Sequence, residues 1–189
     1  MQDPTKSKRG FTLIELMVTI GLLTILAVVG LSGFAKTSGW LARVRLKAAA
    51  REMAMNFQYA RMEAIKRNTF CTVVFNQPIG STTYTYVIFP EERTSRNLVY
   101  NAGTDTPPLK RVQLSDYTDV SPDTTQGGGT GFDFAVNSPD GRPAFCFDQK
   151  GLPRRGNANT RGGGTVFLKD PYGNRMRIVV NPAGQIRIQ

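Results

Sequence analysis

The sequence predicts an α+β fold: a long N-terminal α-helix, apolar enough in its first half to be transmembrane, packed through its second half on a C-terminal antiparallel β-sheet domain of one or two small sheets. Three observations carry this. From Phe11 to Phe34 run 24 residues with a single charge, Glu15. Residues 36–67 contain no proline, one glycine (Gly39), and apolar residues at helical spacing. Beyond Asn68, β-rich runs alternate with Pro/Gly turns.

The apolar run comes first in the chain. At ~1.5 Å per residue it covers about 36 Å, enough for a hydrocarbon core of ~30 Å. Glu15 is the odd residue in it. A carboxylate inside a spanning helix costs at least ~2.5 kcal/mol and marks a function with a partner charge. Gly30 and Gly33 each lower helix propensity by ~1 kcal/mol, which predicts bending or local melting there.

The helix is expected to continue to Arg67, 57 residues from Phe11 if unbroken. Leu41, Val44, Ala48, Met55, Tyr59 and Met62 fall on one stripe. Leu46, Ala50, Met53, Phe57, Ala60 and Ala64 fall on a second. Together they predict one broad apolar face laid on a sheet. Glu63 and Arg67 form an i,i+4 pair assigned to the exposed side. Lys66 and Arg67 suit the negative end of the helix dipole, and Asn68 suits its cap.

Phe70–Phe75 reads as a strand, residues 77–81 as a turn, and Thr83–Phe89 as a second strand ended by Pro90. Leu98–Tyr100 and Lys110–Leu114 read as short strands. Asp116–Gly131, acidic and glycine-rich, reads as a mobile loop. Its triple glycine, Gly127–Gly129, lacks the strand–loop–Lys–helix order of a phosphate cradle. Residues 131–136 and 144–148 alternate like strands. Gly164–Lys169, Arg175–Val180 and Gln185–Ile188, joined by turns at 170–174 and 181–184, predict an antiparallel meander.

Charge is unevenly spread over a net +10. Residues 1–10 carry +2, residues 36–67 +6, residues 68–138 −3, and residues 139–189 +6. The basic blocks suit anionic lipid, acidic partner subunits or nucleic acid. Positive charge at both ends of the apolar run weakens a positive-inside assignment. With no histidine in the chain, Ser-His-Asp and Cys-His catalysis is excluded. Glu91-Glu92 and the scattered aspartates are assigned to solvated loops rather than to an acid/base pair, so no enzyme, cofactor or metal site is expected. The two cysteines, Cys71 and Cys146, lie in predicted strands and permit one disulfide if those strands are adjacent; the alternative is two buried thiols.

Lys8-Arg9-Gly10-Phe11-Thr12-Leu13-Ile14-Glu15 followed by the apolar run resembles the class III signal sequence of type IV pilins and type II secretion pseudopilins. The resemblance implies a leader, residues 1–10, removed by a prepilin peptidase between Gly10 and Phe11. It further implies methylation of the Phe11 amine, and a helix that packs into a filament core. Residues 11–34 would be the transmembrane and filament-core helix, 35–68 its amphipathic continuation, and 69–189 a periplasmic β-rich domain. Glu15 would be the filament-assembly carboxylate, pairing with the N-terminal amine of an adjacent subunit.

Two further stretches narrow the resemblance. Tyr59-Ala60-Arg61-Met62-Glu63-Ala64-Ile65-Lys66-Arg67-Asn68 is similar to the helix end of the branch holding the H-type minor pseudopilins and the FimT/FimU minor pilins. Phe147-Asp148…Gly151 and Arg177-Ile178-Val179-Val180-Asn181…Gly184-Gln185-Ile186-Arg187-Ile188 resemble its C-terminal strands. The branch implies a minor subunit that primes assembly or caps the filament tip. Its implied partners are other minor pilins or pseudopilins, the major subunit and the inner-membrane assembly platform. Type IV pilus and type II secretion pseudopilus both remain open, and the basic character favours the pilus. FimT-type pilins are associated with a terminal Gly-Arg-x-Arg that contributes to DNA binding. Here Gly184-Gln185-Ile186-Arg187 keeps only the second arginine. Arg154, Arg155, Arg161, Arg175, Arg177 and Arg187 are the candidates for phosphate or partner contact.

Overall fold

The computed structural model describes residues 11–91, 98–103, 105–134, 140–155 and 160–189, with residues 29–38 described by backbone alone. The expected leader, residues 1–10, lies outside them. The chain divides into two compact units, Met1–Leu41 and Ala42–Gln189. The helix α1 runs Leu13–Arg67 and belongs to both.

In the first unit α1 is helical through Gly30 and Gly33, so no melted turn interrupts it. Propensity is a weak prior, and two glycines within a long helix do not suffice to break it. Every side chain from Phe11 to Val28 is exposed. Among the described residues no helix is long and apolar enough to cross a membrane. Only Leu13–Val28 of the apolar run has described helical side chains, and residues 29–34 do not.

In the second unit the helix and two sheets enclose one core. The strands are β1 (Phe70–Ile79), β2 (Thr82–Glu91), β3 (Lys110–Val112), β4 (Ser121–Pro122), β5 (Phe132–Asp133), β6 (Ala144–Phe147), β7 (Pro153–Arg155), β8 (Thr160–Arg161), β9 (Gly164–Lys169), β10 (Arg175–Val180) and β11 (Ile186–Ile188). One sheet has the order β3-β2-β1-β6-β7-β8, and the other β11-β10-β9-β4 with β5 also on β9. All pairings are antiparallel. Phe57 of α1 sits at the centre. Its ring meets Phe75, Tyr86 and Phe145 of the first sheet edge-on, and Phe75 stacks on Phe132 of the second at 4.4 Å. Such pairs add about 0.5–1.5 kcal/mol each beyond their burial.

Only one of the two helix stripes is buried. Leu46, Ala50, Met53, Phe57, Ala60 and Ala64, joined by Ala42 and Ala49, enter the core. The stripe of Leu41, Val44, Ala48, Met55, Tyr59 and Met62 stays exposed. The sheets therefore grip a narrower face than the single broad one the periodicity predicts. Glu63 also departs from expectation. It pairs with Arg67 at 2.6 Å but is buried. Helix α1 ends in a Schellman motif: Asn68 takes φ 51°, its N–H donates to the Ile65 carbonyl, and Thr69 N–H donates to Ala64.

The strands differ from the sequence reading where proline or short length intervened. The first turn is only Gly80-Ser81, and β1 and β2 run through Pro78 and Pro90. Both prolines lie past the ends of the next strands over, β6 and β3, where a missing N–H costs least. Leu98–Tyr100 is not a strand. Leu98 takes φ 57° and, with Tyr100, covers the outer face of the first sheet. The Asp116–Gly131 segment holds β4 and is tied to β9 by Asp123 N–H to the Phe167 carbonyl and Phe167 N–H to the Gly131 carbonyl, both 2.8 Å. Of the strand expected over 131–136, residues 135 and 136 fall outside the described residues.

The disulfide is not formed. Its strands are adjacent, as it requires, but Cys71 pairs in register with Phe147 and Cys146 with Thr72. Neighbouring residues of a strand face opposite sides. Cys71 thus enters the main core and Cys146 the outer cluster. Burial pushes the Cys71 thiol up to about 12, so it stays protonated at neutral pH. Glu91 likewise is no solvated acid. It is buried, and its carboxylate accepts from Thr72 Oγ1 at 2.7 Å and Leu98 N–H at 2.8 Å.

Candidate functional site

The N-terminal site begins at Phe11, 80% exposed. Gly10, the other half of the expected cleavage bond, lies outside the described residues. Thr12 precedes the first helical residue, and its Oγ1 accepts the N–H of Glu15 at 3.4 Å. Thr12-Leu13-Ile14-Glu15 therefore has capping-box spacing, with Thr at N-cap and Glu at N3. The carboxylate also sits in the first turn, where the helix dipole favours negative charge. This local role of Glu15 was readable in the spacing; the resemblance drew attention instead to its partner in assembly.

The segments that carry the branch resemblance meet at one joint in the second unit. Arg61 of α1 donates Nη1–H to the Gly184 carbonyl at 3.1 Å. A Cβ on Gly184 would lie 2.7 Å from the Gly151 carbonyl oxygen, and one on Gly151 would lie 2.8 Å from Ile65 Cδ1. The helix end, the turn after β6 and the turn after β10 thus lock together. Those two turns share a design with the turn between β9 and β10. Asp148 Oδ1 accepts from Lys150 and Leu152 N–H, Asp170 Oδ1 from Tyr172 and Asn174, and Asn181 Oδ1 from Ala183 and Gln185. In each, a glycine three residues on has positive φ.

Two buried carboxylates, Asp148 at this joint and Asp123 beside β9, set an acid limit. Burial would raise the Asp148 carboxyl, but the N–H groups of Leu152 and Lys150 and the Arg154 guanidinium together outweigh it and hold it below the usual range. The Asp123 carboxyl is lowered by the Thr125 hydroxyl first, against burial, and then by the Thr125 N–H, Arg175 and Lys169. A carboxylate depressed in the folded state stabilises above its unfolded pKa of roughly 4 and loses that contribution as pH falls through the folded value. The thermal midpoint is accordingly expected to stay level from pH 7 to about 5 and to fall below about pH 4. Asp148→Asn, which can keep the turn as Asn181 does, is expected to flatten that fall in a calorimetric pH series.

The six candidate arginines form two groups on different sheets. Arg154 and Arg161 are register partners on β7 and β8, and Arg155 Nε donates to the Gly163 carbonyl. Arg154 also holds Asp148 at 2.7 Å. Arg175, Arg177 and Arg187 share the outward face of the second sheet, since Arg187 pairs with Val179 and positions 175, 177 and 179 alternate together. Arg175 contacts Asp123 at 3.0 Å and Arg187 contacts Gln185 at 3.0 Å. The triple glycine Gly127–Gly129 forms a 3-10 turn, and a Cβ on Gly127 would lie 2.6 Å from Phe132 N. Among the described residues no group of three or more His, Cys, Asp or Glu side chains is placed to hold a metal ion.

A helix that opens on an exposed Phe and a capped Glu, then packs by its second half on antiparallel sheets, defines a type IV pilin-like subunit of the minor pilin and pseudopilin kind. Residues 49–184 match the family described as "Type II transport protein GspH", and the chain belongs to it. Residues 5–31 match the prokaryotic N-terminal methylation motif. This is a structural, pilin-like family rather than an enzyme family. The pilin-like protein PilA1 of Thermus thermophilus is 33% identical over 91 residues, 48% of this chain and 53% of that protein, so the chain spans about half the length of the curated relative it matches. The type IV minor pilin FimU of Pseudomonas aeruginosa (strain PAO1) aligns in two crystal forms. In space group P21 it is 14% identical, with a TM-score of 0.48, over 78% of this chain and 90% of that one. In P65 the figures are 15%, 0.45, 76% and 92%.

Proposed function

We propose that the chain is a minor pilin, a structural subunit that helps to prime assembly of a type IV pilus or to cap its tip. One observation carries the reading: the methylation motif of residues 5–31 leads directly into the helix whose second half carries the GspH-type domain. In this reading prepilin peptidase cuts between Gly10 and Phe11, and Phe11 is N-methylated. Residues 11–34 hold the subunit in the inner membrane with its β domain in the periplasm, until other minor pilins, the major subunit and the assembly platform draw it into the filament. The mature chain is expected to have the mass of residues 11–189 plus one methyl group, and a bulky residue in place of Gly10 to leave the leader attached. Full-length protein in wild-type cells, by intact-mass analysis, would sink this reading.

A pseudopilus role is the second reading, favoured by the type II description of the family. Deletion separates the two: loss of piliation supports the pilus, and loss of exoprotein export supports the pseudopilus. DNA capture at the tip has in its favour the exposed face of Arg175, Arg177 and Arg187. Absence of a gel shift at low salt removes it.

A further inference from the structure

A groove of about 490 Å³ lies between α1 and β11. Its helix wall carries Met55, Tyr59 and Met62, which are 64%, 38% and 64% exposed, and its other wall is Ile186 and Ile188. Strand β11 is the end strand of its sheet. Arg177 and Gln189 exchange both backbone hydrogen bonds at 2.9 Å, and Asn181 N–H donates to Gln185. In an antiparallel ladder bonded and non-bonded pairs alternate. Ile186 and Ile188 therefore direct their N–H and C=O groups away from β10. A further strand in this sheet would bond to those groups and drop alternate side chains onto Met55, Tyr59 and Met62. The groove occupies the place of that strand.

We propose that the groove receives an extended, acidic segment of a neighbouring filament subunit, which adds to β11 as a new edge strand. Arg51 lines the groove, and exposed Arg187 stands between Ile186 and Ile188. Both call for carboxylates on the occupant. A second copy would instead bring these arginines and two chains of net +10 together. The identity of the partner as a subunit rests on the reading given above, whereas the strand-binding groove does not.

The test uses the full chain in detergent and a fluorescent nine-residue peptide alternating valine with glutamate or threonine. Saturable binding by anisotropy is expected. Ile188→Pro removes an outward N–H and one side chain of the groove wall without breaking a backbone bond to β10, and should weaken it tenfold or more. Met55→Glu, at an exposed helix position, should do the same and keeps the test valid if the proline variant does not fold. A peptide methylated on alternate backbone nitrogens should not bind. No saturable binding to the wild type overturns the proposal, as does equal binding by Met55→Glu or by the methylated peptide. Wild-type self-association that Ile188→Pro abolishes in sedimentation velocity overturns it in favour of a second copy. Glu15→Ala leaves the groove intact and should bind peptide normally, so failure of the subunit reading and failure of the groove are told apart.

Discussion

Glu15→Ala is expected to remove the chain from filaments while leaving it in the membrane fraction. If the apolar run spans the bilayer, an unpaired carboxylate there costs at least ~2.5 kcal/mol. A cationic amine from the next subunit would offset that cost, so the carboxylate would drive the subunit toward the filament. Alanine removes both the cost and the drive. The capping geometry makes the experiment sharper. Thr12 Oγ1 accepts the Glu15 backbone N–H, a bond that any residue at 15 keeps, while the Glu15 side chain stands at the N3 position of a capping box. Glutamine serves a capping box as glutamate does. Glu15→Gln therefore keeps the helix start and loses the charge, and it should fail in assembly like alanine. Thr12→Ala should cost about 1 kcal/mol at the helix start and reduce incorporation only in part. Immunoblots of sheared filaments and membranes read out all three. Wild-type incorporation of either Glu15 variant would end the assembly role assigned to that carboxylate.

Gly163→Ala is expected to be the most damaging single methyl in the β domain. A Cβ there would sit 1.6 Å from the Val180 carbonyl oxygen and 2.6 Å from its carbon. Both are backbone atoms of β10 and cannot swing aside. The residue links β8 of one sheet to β9 of the other, so relief would mean parting the sheets. A cost of at least about 4 kcal/mol follows, which lowers the thermal midpoint by on the order of 10 °C. Gly162→Ala is the control. The atoms nearest its new Cβ all belong to the Arg155 side chain, at 2.4 Å from Cδ, and that chain can rotate. Equal midpoints for the two variants, by circular dichroism, would contradict the close approach.

What could be read in advance followed the strength of the local chemistry. The helix end at Arg67 and the strands Gly164–Lys169 and Arg175–Val180 came out at the predicted residues. Each is bounded by a cap or an Asx turn whose residues act over four positions or fewer. Strands β7 and β8 were missed, because Pro153-Arg154-Arg155 and Thr160-Arg161 are short and largely polar, and only pairing across the sheet makes them strands. Which apolar stripe of α1 is buried was equally hidden. Both stripes have the right period, and the choice is made by the width of the sheets laid over Phe57. Likewise, the disulfide was conditional on adjacent strands; β1 and β6 are adjacent, but a one-residue register decides which side each thiol faces. At the N-terminus the motif was legible and the cap was overlooked. The groove beside β11 needed the sheet order, which periodicity does not supply.

That register has a practical consequence. With Cys71 and Cys146 on opposite faces of one sheet, the β domain closes its core without an oxidised bridge. The native core therefore holds no bond for a reductant to break, and thermal midpoints measured with and without dithiothreitol are expected to coincide.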